Sequence, residues 1–494
     1  MRALLEINSC KKLKEIICGE KAMNKYNPFE IPAMKPDRPL KVLFLTDSLG
    51  NKIISRNPIF DKLHKLNEFD EIDIWFSPTQ DTNLERILSD DIKSKRCEYS
   101  LIEAQYPSKH FIASLICGKR TTVIQFLYPA NCEYPPNLFE NINSSRINFM
   151  ELELIHRFDD PHDLGLFDLV VAHQDDIDLL SLTGKYNIVC PEEVMERIRL
   201  FMLNYRLFFV EKRFKTCEFS YYAYRRLKMF PNITCLWSIL DSLSNDSEWI
   251  QSLYTRTELY LRATDTLKIN SLRKPTNSVA TQCEYDFAFL ILLITGIFDN
   301  LAWLVCKIYE ITLNKNDIKL TIPSEKRNQK FIKAVQEKSQ SLYDYLSNDL
   351  TQAKISLVYP IRDSVVHKNY LTTVQYVDIQ KRIDDIYLKV SPEMHQKFER
   401  LTELGTNLTH CFKHDNINAT STTDIATGSK SVAGASEDMY IIPYEFIDMI
   451  DNIVRDLVDS ILDIMVASKN VNTPHNDLSG FFEFLGTDVE PLYF

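Results

Sequence analysis

Leu40-Lys41-Val42-Leu43-Phe44-Leu45-Thr46-Asp47-Ser48-Leu49-Gly50 is an apolar run of strand length that ends in small polar residues and a glycine. Such a run reads as a strand buried on both faces, and Asp47 or Ser48 suits the cap of a following helix. Similar short runs recur at 72–76, 99–102, 122–128, 169–172 and 187–189. Helical periodicity lies between most of them, at 83–95, 108–117 and 175–182. Strand–helix alternation at this spacing predicts right-handed crossovers and a mostly parallel α/β sheet over residues 38–192, after an extension over 1–37.

Ligands of such sheets gather beyond the carboxyl ends of the strands, at a topological switch point. The candidates there are Asp47, Ser48, Ser77 and Glu103, with Thr46, Thr79, His173 and Asp175 beside them. No GxGxxG or GxxxxGK[ST] sequence occurs, so no dedicated phosphate loop is expected. The ligand would be a small molecule such as a nucleotide, or a protein trigger.

A chain of 494 residues exceeds one compact core, and two or three domains are expected. Hydrophobic residues at 45% and charged residues at 25% exclude global disorder. A formal net charge of −11 argues against a protein that coats DNA or anionic membranes. It leaves room for a local basic groove, since screening confines such a patch to about 10 Å. Eleven cysteines without a CxxC pair fit a reducing, cytoplasmic setting. The apolar stretch 287–298 is too short to span a bilayer before Asp299 and Asn300 interrupt it, so a core helix is expected and no membrane.

Pro191-Glu192-Glu193 has the composition of a helix start. The connecting segment 193–232 that follows is predicted to be helical. Between Arg197 and Lys228 it holds nine Lys/Arg against two acids, interleaved with Phe201, Tyr205, Phe208, Phe209, Phe219, Tyr221 and Tyr224. Basic and aromatic residues together can track single-stranded nucleic acid. The same aromatics equally suit a connector buried against its neighbours. From 233 to 470 no strand is evident, and helical periodicity at 248–270, 284–313, 325–350, 361–388, 393–408 and 443–468 predicts a helical bundle. The stretch 416–438 reads as a loop, and 471–494 as a tail. His410-Cys411-x-x-His414 lacks a fourth ligand at a familiar spacing, so no metal is assigned to it.

Two features of the bundle carry chemistry. Asp299 follows the apolar run 287–298 and is expected to be a buried acid. Pro360-Ile361-Arg362-Asp363-Ser364-Val365-Val366-His367 reads as a helix start with Arg362 and His367 five positions apart. Five helical steps turn about 140°, so the two side chains flank one edge of the helix. RNA brings its own nucleophile, the 2′-hydroxyl. A histidine near neutrality can move protons to and from it, and an arginine can hold the phosphate and its developing charge. No metal or cofactor is needed for that reaction. Spacing alone is weak support, because Arg157 and His162 share it; Pro161 after an Asp pair makes that stretch a turn.

The Arg-polar-xxx-His element, set after a long apolar helix with an internal acid, resembles the HEPN superfamily of helical ribonuclease domains over roughly residues 240–470. The resemblance implies a metal-independent endoribonuclease in which Arg362 and His367 are catalytic. Asp363 would be the polar residue after the arginine, where many members carry asparagine, and Asp299 the supporting acid. It also implies a homodimer through the helical domain, with two such motifs facing one cleft and RNA as partner. Some members, in CRISPR-associated effectors, follow a Rossmann-like sensor, and the domain order here is similar. The expectation is a sensor–effector protein of antiviral defence or stress. The alternative is a non-catalytic HEPN-like regulator that binds nucleotides or protein.

Overall fold

The computed structural model describes residues 39–46, 48–50, 71–77, 95–102, 109–117, 120–128, 168–181, 188–211, 214–233, 247–273, 276–322, 329–363, 365, 373–378, 383–389, 392–406, 412–414 and 439–468. These fall into two compact units, one up to Arg206 and one from Leu207 onward.

The first unit is built on a seven-stranded sheet. Its strands are β1 (Leu40–Phe44), β2 (Ile72–Phe76), β3 (Lys95–Ile102), β4 (Lys109–Cys117), β5 (Arg120–Tyr128), β6 (Leu169–Val171) and β7 (Ile188–Val189). They lie in the order β5-β4-β3-β2-β1-β6-β7. β3, β2, β1, β6 and β7 run parallel, with Val42 opposite Ile74 on one side and Leu169 on the other. Val42, Leu43 and Phe44 are fully buried, as strands flanked on both sides and covered on both faces require. The helices α1 (Gln174–Ser181) and α2 (Pro191–Asn204) follow β6 and β7.

One sequence expectation fails here. Of the stretch 108–117, expected to be a helix, residues 109–117 form β4, which pairs antiparallel with β3 and β5. Cys117 lies opposite Arg120, so only Gly118 and Lys119 separate β4 from β5. Two residues including a glycine between two such runs are a hairpin signal, and it outweighs the helical spacing of the nine residues before it.

The second unit is mostly helical. A hairpin of β8 (Phe208–Glu211) and β9 (Phe214–Thr216) leads into α3 (Glu218–Met229), so the connector is not helical throughout. The central pair is α4 (Ser247–Ser271) and α5 (Asn277–Ile308). Shorter helices follow as α6 (Lys330–Lys338), α7 (Gln340–Ser347), α8 (Asp349–Ser356) and α9 (Val358–Asp363), then α10 (Pro392–Glu403) and α11 (Pro443–Ser468).

Local chemistry sets these bounds. The Thr276 side chain accepts the Val279 N–H at 3.2 Å to start α5. Ser339 is extended at φ −152° and its hydroxyl accepts the Leu342 N–H, which splits the expected helix 325–350 into α6 and α7. Pro360 has no N–H to return to the Ser356 carbonyl, so α8 ends there and the chain restarts as α9. Arg362 therefore sits in the last turn of a helix rather than the first.

A second correction concerns strands. β10 (Thr373–Asp378), β11 (Ile383–Lys389), β12 (Phe412–His414) and β13 (Met439–Ile441) form a four-stranded sheet in the order β10-β11-β13-β12. Residues 373–378 and 383–389 thus pair antiparallel, with Thr373 opposite Leu388 and Asp378 opposite Ile383. Thr373-Val374-Gln375-Tyr376-Val377 is rich in β-branched and aromatic residues, and pairing across the turn decides the matter.

α5 is the core helix of this unit. Its most apolar 18-residue window has a mean hydropathy of 2.1, enough to cross a membrane by length and composition, yet 72% of it is buried inside the protein. Phe287 meets Phe446 of α11 with ring centroids 5.4 Å apart, and Phe446 meets Phe398 of α10 at 6.0 Å. Polar locks fix the packing. Tyr260 donates to Asp451 at 2.7 Å, and Lys268 pairs with Asp448, joining α4 to α11. Arg225 and Tyr222 of α3 both donate to the buried Asp265 carboxylate. Arg226 lies over the Tyr254 ring and pairs with Glu258. The connector's aromatics Tyr221, Tyr222 and Tyr224 are buried, with Phe219 exposed at 63%.

Candidate functional site

α4 and α5 run antiparallel, and their facing residues follow a fixed register. Trp249 stacks on Trp303 with centroids 4.8 Å apart, and Asn300 donates to the Ser252 hydroxyl at 2.8 Å. One turn further, Arg256 lies across Gly296. A Cβ at Gly296 would meet the Arg256 guanidinium, so the glycine lets that cation cross α5 close to its axis. Asp299 comes three residues later on the same helix.

Against this region packs α9. Arg362 and Asp363, at its end, are exposed by 40% and 51%, and they form an ion pair at 3.1 Å. Asp299 is exposed on the surface of α5, not the buried acid the sequence suggested. Neighbouring atoms still strip part of its hydration, which raises its pKa, while Arg362, then Arg256, then Lys319 pull it down. Surface exposure and crowding are compatible, because a carboxylate can keep one face in water while packed atoms take solvent from the other. Tyr359, half-buried in α9, belongs to the same group. Burial raises its hydroxyl far above the usual phenol range, and Asp299 adds to the shift while Arg362 opposes it.

The structure thus brings together Asp299, Arg362 and Asp363 of the residues singled out from sequence. His367 lies outside the described residues. Arg256, Lys319 and Tyr359 were not legible beforehand. The one hint was Gly296 inside an apolar helix, which marks a close approach without naming the visitor. Three cations against two carboxylates, Asp299 and Asp363, leave a small local positive excess despite a chain charge of −11.

In the first unit, strand order reverses around β1, and the switch point lies between β1 and β6. Ser48 stands there, fully buried. Its hydroxyl donates to Asp176 at 2.7 Å and accepts the His173 N–H at 2.9 Å, tying the β1 and β6 ends together. The Ser77 hydroxyl accepts the Thr46 N–H at 2.8 Å, and the Thr46 hydroxyl donates to the Ser77 carbonyl at 2.7 Å. Ser48 and Ser77 therefore knit the strand ends to one another. Asp47 and Glu103, the other two candidates for ligand contact, lie outside the described residues, as do the expected helix at 83–95 apart from Lys95, the stretch 416–438, His410 and Cys411.

Comparison with protein families, curated proteins and solved structures returned no match for this chain. What the site can do must come from its own geometry and chemistry.

Proposed function

We propose that the helical unit is an HEPN-like endoribonuclease that cuts RNA without a metal. The observation that supports the reading most is that Arg362 of α9 lies near enough to Asp299 of α5 to act on its charge, two residues sixty-three positions apart that the sequence pairs on motif grounds alone. In this reading Arg362, aided by Arg256 and Lys319, holds the scissile phosphate through charge-assisted hydrogen bonds. His367 takes the proton of the 2′-hydroxyl, whose oxygen attacks phosphorus and expels the 5′-oxygen of the next nucleotide. The products are a 2′,3′-cyclic phosphate and a 5′-hydroxyl, and the leaving oxygen receives a proton. Asp363 orients Arg362 by pairing with it, and the Asp299 charge acts on it from α5.

Two copies of the chain facing each other would double the cationic cluster around one RNA, and a two-fold axis is the commonest route to that arrangement. The front unit, in the same reading, is a sensor for a nucleotide or protein trigger at its strand ends, in a cytoplasmic defence or stress response. Arg362→Ala and His367→Ala should each reduce cleavage at least a hundredfold while circular dichroism and melting stay near wild type. Cleavage that survives both changes removes these residues from the active site, and cleavage abolished by EDTA replaces this mechanism by a metal-assisted one.

A further inference from the structure

A cavity of about 250 Å³ is lined by Asn316, Asp317, Lys319, Thr321, Gln329 and Phe331, with Ile322 and Ile332 beside them. Its position follows from Lys319, which lines the cavity and also acts electrostatically on the Asp299 carboxylate next to Arg362. Its wall is held rigidly. The Gln352 side chain of α8 accepts the Ile322 N–H at 2.8 Å and donates to the carbonyls of Leu320 at 3.0 Å and Leu346 at 2.7 Å. One amide thus clamps residues 320–322 onto α7 and α8. Asp317 is occupied by Lys330 at 3.1 Å, which offsets its negative charge at the edge.

The lining has the chemistry of a nucleobase site: two primary amides, Asn316 and Gln329, one hydroxyl, Thr321, and the apolar wall of Phe331, which is 3% exposed. Amides offer a donor and an acceptor side by side, matching the edge of a base. The volume is below the range of about 300–1,000 Å³ usual for larger ligands, which favours a single flat ring over a dinucleotide. We propose that this cavity takes one base of the substrate RNA, with Lys319 and the Arg256–Arg362 cluster receiving the attached phosphate, so that it selects the nucleotide at the cut. The inference rests on the ribonuclease reading for its substrate class.

The test measures binding of the four nucleoside 3′-monophosphates and inorganic phosphate to the full chain by calorimetry, beside cleavage of an RNA of mixed sequence. One nucleotide is expected to bind at least tenfold tighter than the others. Asn316→Ala and Gln329→Ala should level that preference, whereas Lys319→Ala should weaken all four nucleotides and phosphate alike. Asn316 and Lys319 are exposed, so these variants should melt as wild type does, and Thr321→Val serves as a second pocket variant should one of them not. Equal binding of all four nucleotides, or none, overturns the pocket. RNA cleavage without base preference, unchanged in Asn316→Ala, leaves the nuclease standing and removes the pocket. Selective nucleotide binding lost in Asn316→Ala, without any RNA cleavage, keeps the pocket and removes the nuclease.

Discussion

Asp459, on α11, is the carboxyl most at odds with its surroundings. Its Oδ1 is buried without a hydrogen-bond partner among the described residues. Burial, then Asp463, raises its pKa to about 7, with Asp456 adding and Arg455 opposing. The unfolded carboxyl titrates near about 3.9. Between about pH 4 and 7 the folded chain therefore keeps a proton that the unfolded chain has lost, and stability falls as pH rises through that window. A three-unit shift corresponds to a ceiling of about 4 kcal/mol, and partial exposure reduces it to about 1–2 kcal/mol. Asp459→Asn should therefore raise the melting temperature by several degrees at pH 8 and change it little at pH 4. A variant no more stable than wild type at pH 8 would show that solvent reaches this carboxyl. Beside Asp299, Gly296→Ala should push the Arg256 guanidinium away from α5 while gaining helix propensity of about 1 kcal/mol. RNA affinity is then expected to fall several-fold in a protein of equal or higher stability, as fluorescence anisotropy would show.

The ends of α5 and α10 show one cap built in two ways. After α10, the Gly405 N–H bonds to the Thr402 carbonyl and the Thr406 N–H to that of Leu401, with Gly405 at φ +92°. After α5 the same pair of bonds runs from Glu310 to Lys307 and from Ile311 to Cys306, but the left-handed position is held by Glu310 at φ 55°. A glutamate there is strained where glycine is not. Glu310→Gly should raise the stability of the helical unit by about 1 kcal/mol in a urea titration, and Gly405→Ala should lower it by a similar amount. Elements whose bounds depend on neighbouring residues were legible in the sequence: β1 and β2 from their apolar runs, α11 from Pro443 and a stripe from Phe446 to Met465. β4, β10 and β11 were not, since mixed runs of six to nine residues fit either period and only pairing with another strand decides it. The site divides likewise. Arg362 and Asp299 stand out by type and spacing, whereas Arg256 and Lys319 reach the same place through helix packing that no local pattern encodes.

The whole molecule combines a parallel-sheet unit with a helical unit whose positive cluster must work against a net charge of −11. That conflict makes salt a probe of assembly. Three cations in one chain predict a slope of log affinity against log salt near about −2 for single-stranded RNA, and two facing clusters near about −4. Anisotropy titrations across salt concentrations, beside sedimentation of the free protein, should return the steeper slope and a dimer. A shallow slope with a monomer that still cleaves would remove the composite cleft. If the front unit is a sensor, its trigger can alter activity only by preferring one state over another, so removing residues 1–206 should make cleavage insensitive to that trigger. The central claim is the chemistry itself, and it is read from the ends of the cut RNA. Purified protein in excess EDTA should yield fragments with a 2′,3′-cyclic phosphate and a 5′-hydroxyl, formed by wild type and not by Arg362→Ala. Fragments carrying a 5′-phosphate, or intact RNA under the same conditions, would contradict it.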